Sequence, residues 1–246
     1  MKWTPSTVLR KKVWAEGLFT LTVSSPEVLP FHPGQFLHLA VVEDEERTNR
    51  PYSVASPHGD ELDFFVVLVE EGKLTPKLWA LDVGDALEVS EKATGSFTLE
   101  KTPDAKHLWL IATGTGLAPY IAMLRTSEPW SRYEKIVVVH GVRHHTDLAY
   151  QDELAAYRGT YGKQFEYVPV LSRDESPDAL FGRIPQCMES GTLEETADCE
   201  LSKNDSAVML CGNPAMLDEM ESKLGNREMV KHRKKKPGQI VIERYW

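Results

Sequence analysis

Cysteine is scarce in this 246-residue chain: its three copies, Cys187, Cys199 and Cys211, are odd in number and twelve apart. That spacing suits neither a CxxC metal site nor a closed disulfide framework, which disfavours protein-ligated zinc and iron–sulfur centres. The eight histidines, His140, His144 and His145 among them, form no HExxH pattern and read as structural or surface residues. An excess of positive charge is also missing. Twenty-eight Lys and Arg stand against 37 Asp and Glu, a formal charge of -9, so affinity for nucleic-acid phosphates has no global electrostatic support. No run approaches the roughly 18 apolar residues that span a bilayer, and the opening MKWTPSTVLRKKV lacks the apolar core of a signal peptide. These absences leave a soluble protein of a reducing compartment, read as cytoplasmic, with no metal and no membrane or nucleic-acid partner.

What is present divides in two. The first hundred residues hold short runs rich in Val, Phe, Thr and Leu, broken by Pro and Gly: LFTLTVSS, GQFLHLAVV, PYSVAS, LDFFVVLV and DALEVSE. In LFTLTV, Phe19, Leu21 and Val23 fall on one side and Leu18, Thr20 and Thr22 on the other, so one wholly apolar face is expected to line a small barrel. A helix is expected around Leu74 to Leu81. From about residue 105 the apolar runs become continuous, as in HLWLIATG and KIVVVHG, the mark of strands buried on both faces of a parallel sheet. LWLIA, APYIAMLRT, IVVVHG, DLAYQDELAAYR, FEYVPVLS, PQCMESG, AVMLCG and AMLDEMESKL then read as alternating strands and helices. The expected architecture is an antiparallel β-barrel over 1–100 followed by a doubly wound α/β domain over 101–246, with the change at Glu100 to Asp104.

Three short motifs could carry chemistry. Gly114-Thr115-Gly116-Leu117-Ala118-Pro119 follows a buried strand and opens a helix, where backbone N–H groups can face a phosphate, although Gly-rich turns of this kind are also common structural features. Arg50-Pro51-Tyr52-Ser53 sets a guanidinium fork, a planar ring and a hydroxyl together; they suit a diphosphate and a stacked ring, or equally an exposed Arg beside a packed Tyr. Gly72-Lys73-Leu74-Thr75 offers donors at a helix start, or only a cap. Arg143 and Arg173 end two apolar strands, the edge where open α/β sheets bind ligands.

RPYS, GKLT, GTGLAP, the turn Cys211-Gly212-Asn213-Pro214 and the aromatic end Tyr245-Trp246 occur together in the order and spacing of the ferredoxin-NADP reductase family, and the chain resembles its bacterial branch most. The resemblance implies an FAD-binding barrel and an NADP-binding α/β domain. It implies that Arg50, Pro51 and Ser53 contact the FAD, that Tyr52 stacks on the flavin, and that Phe65 lies near it. Lys73, Leu74 and Thr75 would wrap the diphosphate, Thr115 would reach the flavin from the second domain, and the aromatic tail would cover the cofactor, Tyr245 on the flavin and Trp246 on the adenine.

By the same resemblance Arg183 joins Arg143 and Arg173 around the 2′-phosphate of NADP, with Val142, Ser172, Asn213, Pro214, Ala215 and Glu219 completing that site. Ser53, Cys211, Glu243 and Tyr245 would surround the transfer of hydride from nicotinamide C4 to flavin N5, which needs no protein nucleophile. The implied activity is electron transfer between NADPH and ferredoxin or flavodoxin. An NADH-dependent oxygenase reductase and a non-catalytic flavoprotein electron-transfer module are the alternatives. Lys231, Arg233, Lys234, Lys235 and Lys236, aided by Arg10, Lys11 and Lys12, would dock the acidic carrier, or form only a solvated segment. A monomer is expected.

Overall fold

The computed structural model describes residues 1–233 and 235–244 and divides into two compact units: Met1–Leu99 with Ala118–Thr126, and Glu100–Leu117 with Ser127–Trp246. Six strands build the first: β1 (Trp3–Ala15), β2 (Leu18–Ser24), β3 (Phe36–Glu43), β4 (Glu46–Ser53), β5 (Glu61–Val67) and β6 (Ala86–Ser90). All pair antiparallel in the order β4-β3-β6-β1-β2-β5. Val54, just past β4, bridges to Phe64 of β5, so the edge strands meet and the sheet closes. Phe19, Leu21 and Val23 do face the barrel core, with Val8, Leu37, Leu39, Leu62 and Phe64. The threonine face is buried too, because the Trp14 indole N–H donates to Thr20 Oγ1 (2.9 Å) and Thr22 Oγ1 donates to Asp63 Oδ1 (2.6 Å).

Two features of the barrel carry little apolar signal. The inward side of β1 begins with Thr4 and Ser6, so the stretch from Trp3 to Val8 alternates in burial without alternating in hydrophobicity. β4 begins four residues before Arg50, because Asp44 and Glu45, both at positive φ (48° and 66°), make the tight hairpin turn that pairs Glu43 with Glu46. A short helix, α1 (Thr75–Ala80), lies where the sequence expects it and reaches the β3–β4 hairpin through Lys77, whose ammonium sits 2.8 Å from Glu43.

Helix α2 (Ala118–Leu124), which follows β7 in the chain, is buried at every residue and groups by contact with the barrel. The reason is side-chain contact that adjacency in sequence does not reveal. Tyr120 packs on Phe97 (6.0 Å between ring centroids), a Cβ on Gly34 would meet Met123 at 2.6 Å, and Arg125 donates to Asp63 (2.7 Å) and to the Ala55 carbonyl (3.0 Å).

The second unit is a six-stranded parallel sheet of β7 (His107–Thr113), β8 (Lys135–Val142), β9 (Phe165–Leu171), β10 (Leu180–Phe181), β11 (Ser206–Gly212) and β12 (Ile240–Arg244), ordered β10-β9-β8-β7-β11-β12. Its helices are α3 (Glu128–Arg132), α4 (Gln151–Tyr161), α5 (Ile184–Glu189), α6 (Thr192–Ala197) and α7 (Pro214–Asn226). The continuous apolar runs are buried as expected: Trp109, Ile111, Val137, Val139, Val208 and Leu210 share one core with Leu193, Leu217 and Leu224 of the helices. α3, α6, the two-residue β10 and β12 are elements the sequence reading did not mark. The strand order reverses between β7 and β11, which opens a crevice at their carboxyl ends. Among the described residues, no helix is long and apolar enough to cross a membrane.

Candidate functional site

In the barrel, the predicted residues gather on β4, β5 and the start of α1. Register sets Tyr52 opposite Leu37 and Ser53 opposite Phe36. The Tyr52 ring packs on the barrel core, and burial pushes its phenol up to about 12, so the hydroxyl keeps its proton at neutral pH. Arg50 stays exposed, its guanidinium donating to the neighbouring Asn49 carbonyl (2.7 Å), and Pro51 is tolerated because β4 lies at the end of the ladder. Phe65 is buried, but on the face of β5 opposite the core residues Leu62, Phe64 and Val66, opposite Thr20. Gly72 is required by close approach, since a Cβ there would meet the Val69 carbonyl at 2.8 Å. The Thr75 hydroxyl closes this turn by accepting from the Val69 N–H (2.9 Å) and donating to the Val69 carbonyl (3.0 Å). What the segment offers a phosphate is therefore the Lys73 side chain and the amides at the helix start. Leu74 is core.

In the α/β unit, the crevice between β7 and β11 is shaped by backbone packed on backbone. A Cβ on Gly116 would meet the Cys211 carbonyl at 2.7 Å, and one on Gly212, at φ +129°, would meet Thr113 Oγ1 at 2.2 Å. Gly114, at φ +53°, has nothing within 4 Å of a Cβ position, so its exposed side is open to a close-approaching ligand. Thr115 is half-buried in the same turn. The Asn213 N–H donates to Thr113 Oγ1 (2.8 Å), and Asn213 Oδ1 in turn accepts from Ala215 N–H (2.9 Å), capping α7 with Pro214 in its first turn. Cys211 is fully buried, and β12 sets Glu243 beside it in register, so the structure brings these two predicted residues together. Glu219 lies one turn into α7, 3.9 Å from Lys223. Tyr245, Trp246 and Lys234 lie outside the described residues.

His140 is a supporting residue whose place the sequence did not give. Fully buried on β8, it donates from Nε2 to the Gly114 carbonyl (3.0 Å), while the Tyr167 hydroxyl lies 3.4 Å from Nδ1. Burial pushes its pKa down to about 4, so a neutral imidazole of fixed tautomer braces the glycine turn. No local pattern separates such a histidine from a surface one.

Val142 ends β8, and the ladder continues past the strand ends: Ser172 N–H donates to the Val142 carbonyl (3.1 Å) and Arg173 N–H to the Arg143 carbonyl (3.0 Å). The Ser172 hydroxyl also turns to Val142 O (3.3 Å). Arg143 and Arg173 thus leave neighbouring strands side by side, and Arg183 leads from edge strand β10 into α5. The pairing of arginines separates two groups. Among the described residues, Arg10, Arg47, Arg125, Arg132, Arg158, Arg227 and Arg244 each reach a carboxylate. No carboxylate partners Arg50, Arg143, Arg173, Arg183 or Arg233 among the described residues, and the first four are the predicted phosphate contacts. An arginine without a carboxylate partner keeps its charge available to an anionic ligand.

Ahead of β12, Arg233 and Lys236 exchange backbone bonds (3.0 and 2.9 Å), and Arg233, Lys235 and Lys236 are exposed. Arg10 and Lys11 are already engaged within the barrel: Arg10 pairs with Glu61, and Lys11 donates to the carbonyls of Trp79 and Leu81 while lying over the Trp79 ring. Lys12 lies 3.8 Å over the Trp14 ring.

A closed antiparallel barrel joined to a parallel sheet with a glycine-lined switch point is the organisation of oxidoreductases that pair a flavin domain with a pyridine-nucleotide domain. Comparison with known proteins agrees: residues 12–98 match the oxidoreductase FAD-binding domain and residues 110–222 the oxidoreductase NAD-binding domain. The chain is 39% identical to the flavodoxin/ferredoxin–NADP reductase of Escherichia coli over 246 residues, 99% of each, and 38% identical to that of Buchnera aphidicola subsp. Baizongia pistaciae over 99% of each. A crystal structure of a ferredoxin NADP+ reductase from Neisseria gonorrhoeae with bound FAD and NADP superposes with a TM-score of 0.94 at 31% identity, covering 100% of both chains. The chain belongs to the flavodoxin/ferredoxin–NADP reductase family.

Proposed function

We propose that this protein is an FAD-dependent oxidoreductase that passes electrons between NADPH and a ferredoxin or flavodoxin, working as a cytoplasmic monomer. The observation that carries the reading is the pairing of arginines: the four predicted to hold nucleotide phosphates have no carboxylate partner among the described residues, while seven others do. The residues of each unit fit the groups implied. FAD, when bound, supplies the conversion between two-electron and one-electron transfer.

In this reading Arg50 and Lys73 hold the FAD diphosphate, with Leu74 and Thr75 shaping the turn, and Tyr52 offers its ring face to the flavin. Pro51, Ser53 and Phe65 sit on the same strands, and Thr115, Tyr245 and Trp246 are the further FAD contacts in this reading. Arg143, Arg173 and Arg183 grip the 2′-phosphate, with Val142, Ser172, Pro214, Ala215 and Glu219 around the rest of the nucleotide. Asn213 fixes the turn beneath it, and buried Cys211 beside Glu243 limits water and sets the nicotinamide face. Lys231, Arg233, Lys234, Lys235 and Lys236 give an acidic carrier a run of positive charge to dock on, in a protein of net charge -9.

Anaerobic mixing of the FAD-loaded protein with NADPH and, separately, with NADH tests the reading through the visible flavin band. Rapid bleaching by NADPH with NADH far slower is expected. A yellow protein inert to both would leave only an electron-transfer module, and equal rates would remove the three-arginine grip. Neutralising Lys231, Lys235 and Lys236 should slow reduction of the carrier at low salt while leaving reduction of a small dye intact.

A further inference from the structure

The two strand-end loops that carry Arg143 and Arg173 are joined by one side chain that none of the predicted roles uses. Asp174 spends both carboxylate oxygens on the loop after β8: Oδ1 accepts from His144 Nδ1 (2.9 Å) and Oδ2 from the His145 backbone N–H (2.8 Å). The His144 N–H is held from below by Asp147 Oδ2 (2.9 Å). The main-chain bond from the Arg173 N–H to the Arg143 carbonyl (3.0 Å) joins the loops at the arginines themselves, and the Asp174 carboxylate carries the tie one residue further, to His144 and His145. The Asp174 carboxylate does not pair with either arginine among the described residues. It is the bonds to His144 and His145 that hold it, and these bonds lower its own pKa.

We propose that Asp174 is a positioning residue for the nucleotide phosphate: it ties the β8 and β9 strand-end loops together and sets the separation of Arg143 and Arg173. The inference rests on the NADPH reading above. A grip formed by side chains from separate loops depends on their spacing, because charge-assisted bonds to a phosphate are short and directional. His144 is half of the tie, and the His145 amide is the other half.

The test is titration of the FAD-loaded protein with adenosine 2′,5′-bisphosphate and with 5′-AMP, which differ by the phosphate in question. In Asp174→Ala the Kd for the bisphosphate should rise about tenfold and that for 5′-AMP less than about twofold. Asp174→Asn retains an acceptor oxygen and His144→Ala retains the bond to the His145 amide, so each should rise about threefold. A simple electrostatic role makes the opposite forecast, because removing a carboxylate near an anion site tightens binding, and does so equally in the Ala and Asn variants. Tighter binding, unchanged binding, or equal weakening of both ligands would each overturn the inference. A wild-type protein that fails to favour the bisphosphate would overturn the NADPH reading and the inference with it, whereas a discriminating wild type with indifferent variants would overturn the inference alone.

Discussion

Replacing Arg173 by alanine tests the reading where it is most exposed to refutation. In the folded protein this guanidinium has no carboxylate partner among the described residues, and its backbone bond to Arg143 survives the substitution. Truncation therefore orphans nothing, and stability should change by no more than about 0.5 kcal/mol. A hydrogen bond to a charged group is worth about 1.5–3 kcal/mol, so loss of one guanidinium–phosphate contact should raise the KM for NADPH by about 10- to 150-fold. The KM for NADH, which lacks that phosphate, should stay within about twofold. The control is Arg227→Ala. Arg227 is bidentate on Glu194 (2.8 and 2.7 Å), with a further bond to the Leu201 carbonyl (3.2 Å), in a pair only 33% and 16% exposed. Its loss should cost about 2 kcal/mol of stability, after allowance for partial solvent screening, with no change in nucleotide preference. Steady-state dye reduction with both nucleotides and chemical denaturation, each on both variants, supply these numbers. If Arg173→Ala melts like Arg227→Ala, or raises both KM values alike, the partner-free arginines are not an anion grip.

Gly212→Ala should be severely destabilising, by about 3 kcal/mol or more, because the added Cβ would lie 2.2 Å from Thr113 Oγ1 on a backbone at φ +129°; soluble, normally stable protein would contradict the close packing of β7 on β11. His140 predicts the acid side of the stability profile. Its folded pKa of about 4 lies below the ordinary histidine value of 6.5, so the unfolded chain takes up the proton first. The contribution is intact above pH 6.5 and is lost progressively down to about pH 4, a change of roughly 3 kcal/mol. Urea denaturation between pH 7 and 4.5 should show this slope in wild type and a shallower one in His140→Gln; identical slopes would refute it.

Much of this was legible along the chain because the signals are local. Period-two alternation placed Phe19, Leu21 and Val23 in the barrel, and continuous apolar runs placed β7, β8 and β11 in a two-sided sheet. Other elements lacked any such signal. β1 turns Thr4 and Ser6 inward, β4 is extended by its hairpin partner, and β12 exists because β11 offers it an edge. The helix APYIAMLRT is legible, but its contacts with Phe97, Gly34 and Asp63, distant in sequence, are not.

The sequence by itself determined the residue types and their order: two domains, the glycine turns, and arginines after apolar strands. Tertiary structure decided which of those charges are already engaged. Arg10 and Lys11 stand in a basic run yet are held by Glu61 and by helix-end carbonyls, while Arg143 and Arg173 emerge side by side without a counter-charge among the described residues. It also set Glu243 next to Cys211 and Asp174 across from His144. Periodicity and turn chemistry are properties of neighbours along the chain, whereas the pairing of a charge depends on what the fold brings within about 4 Å of it, and that distance is not written in any local stretch.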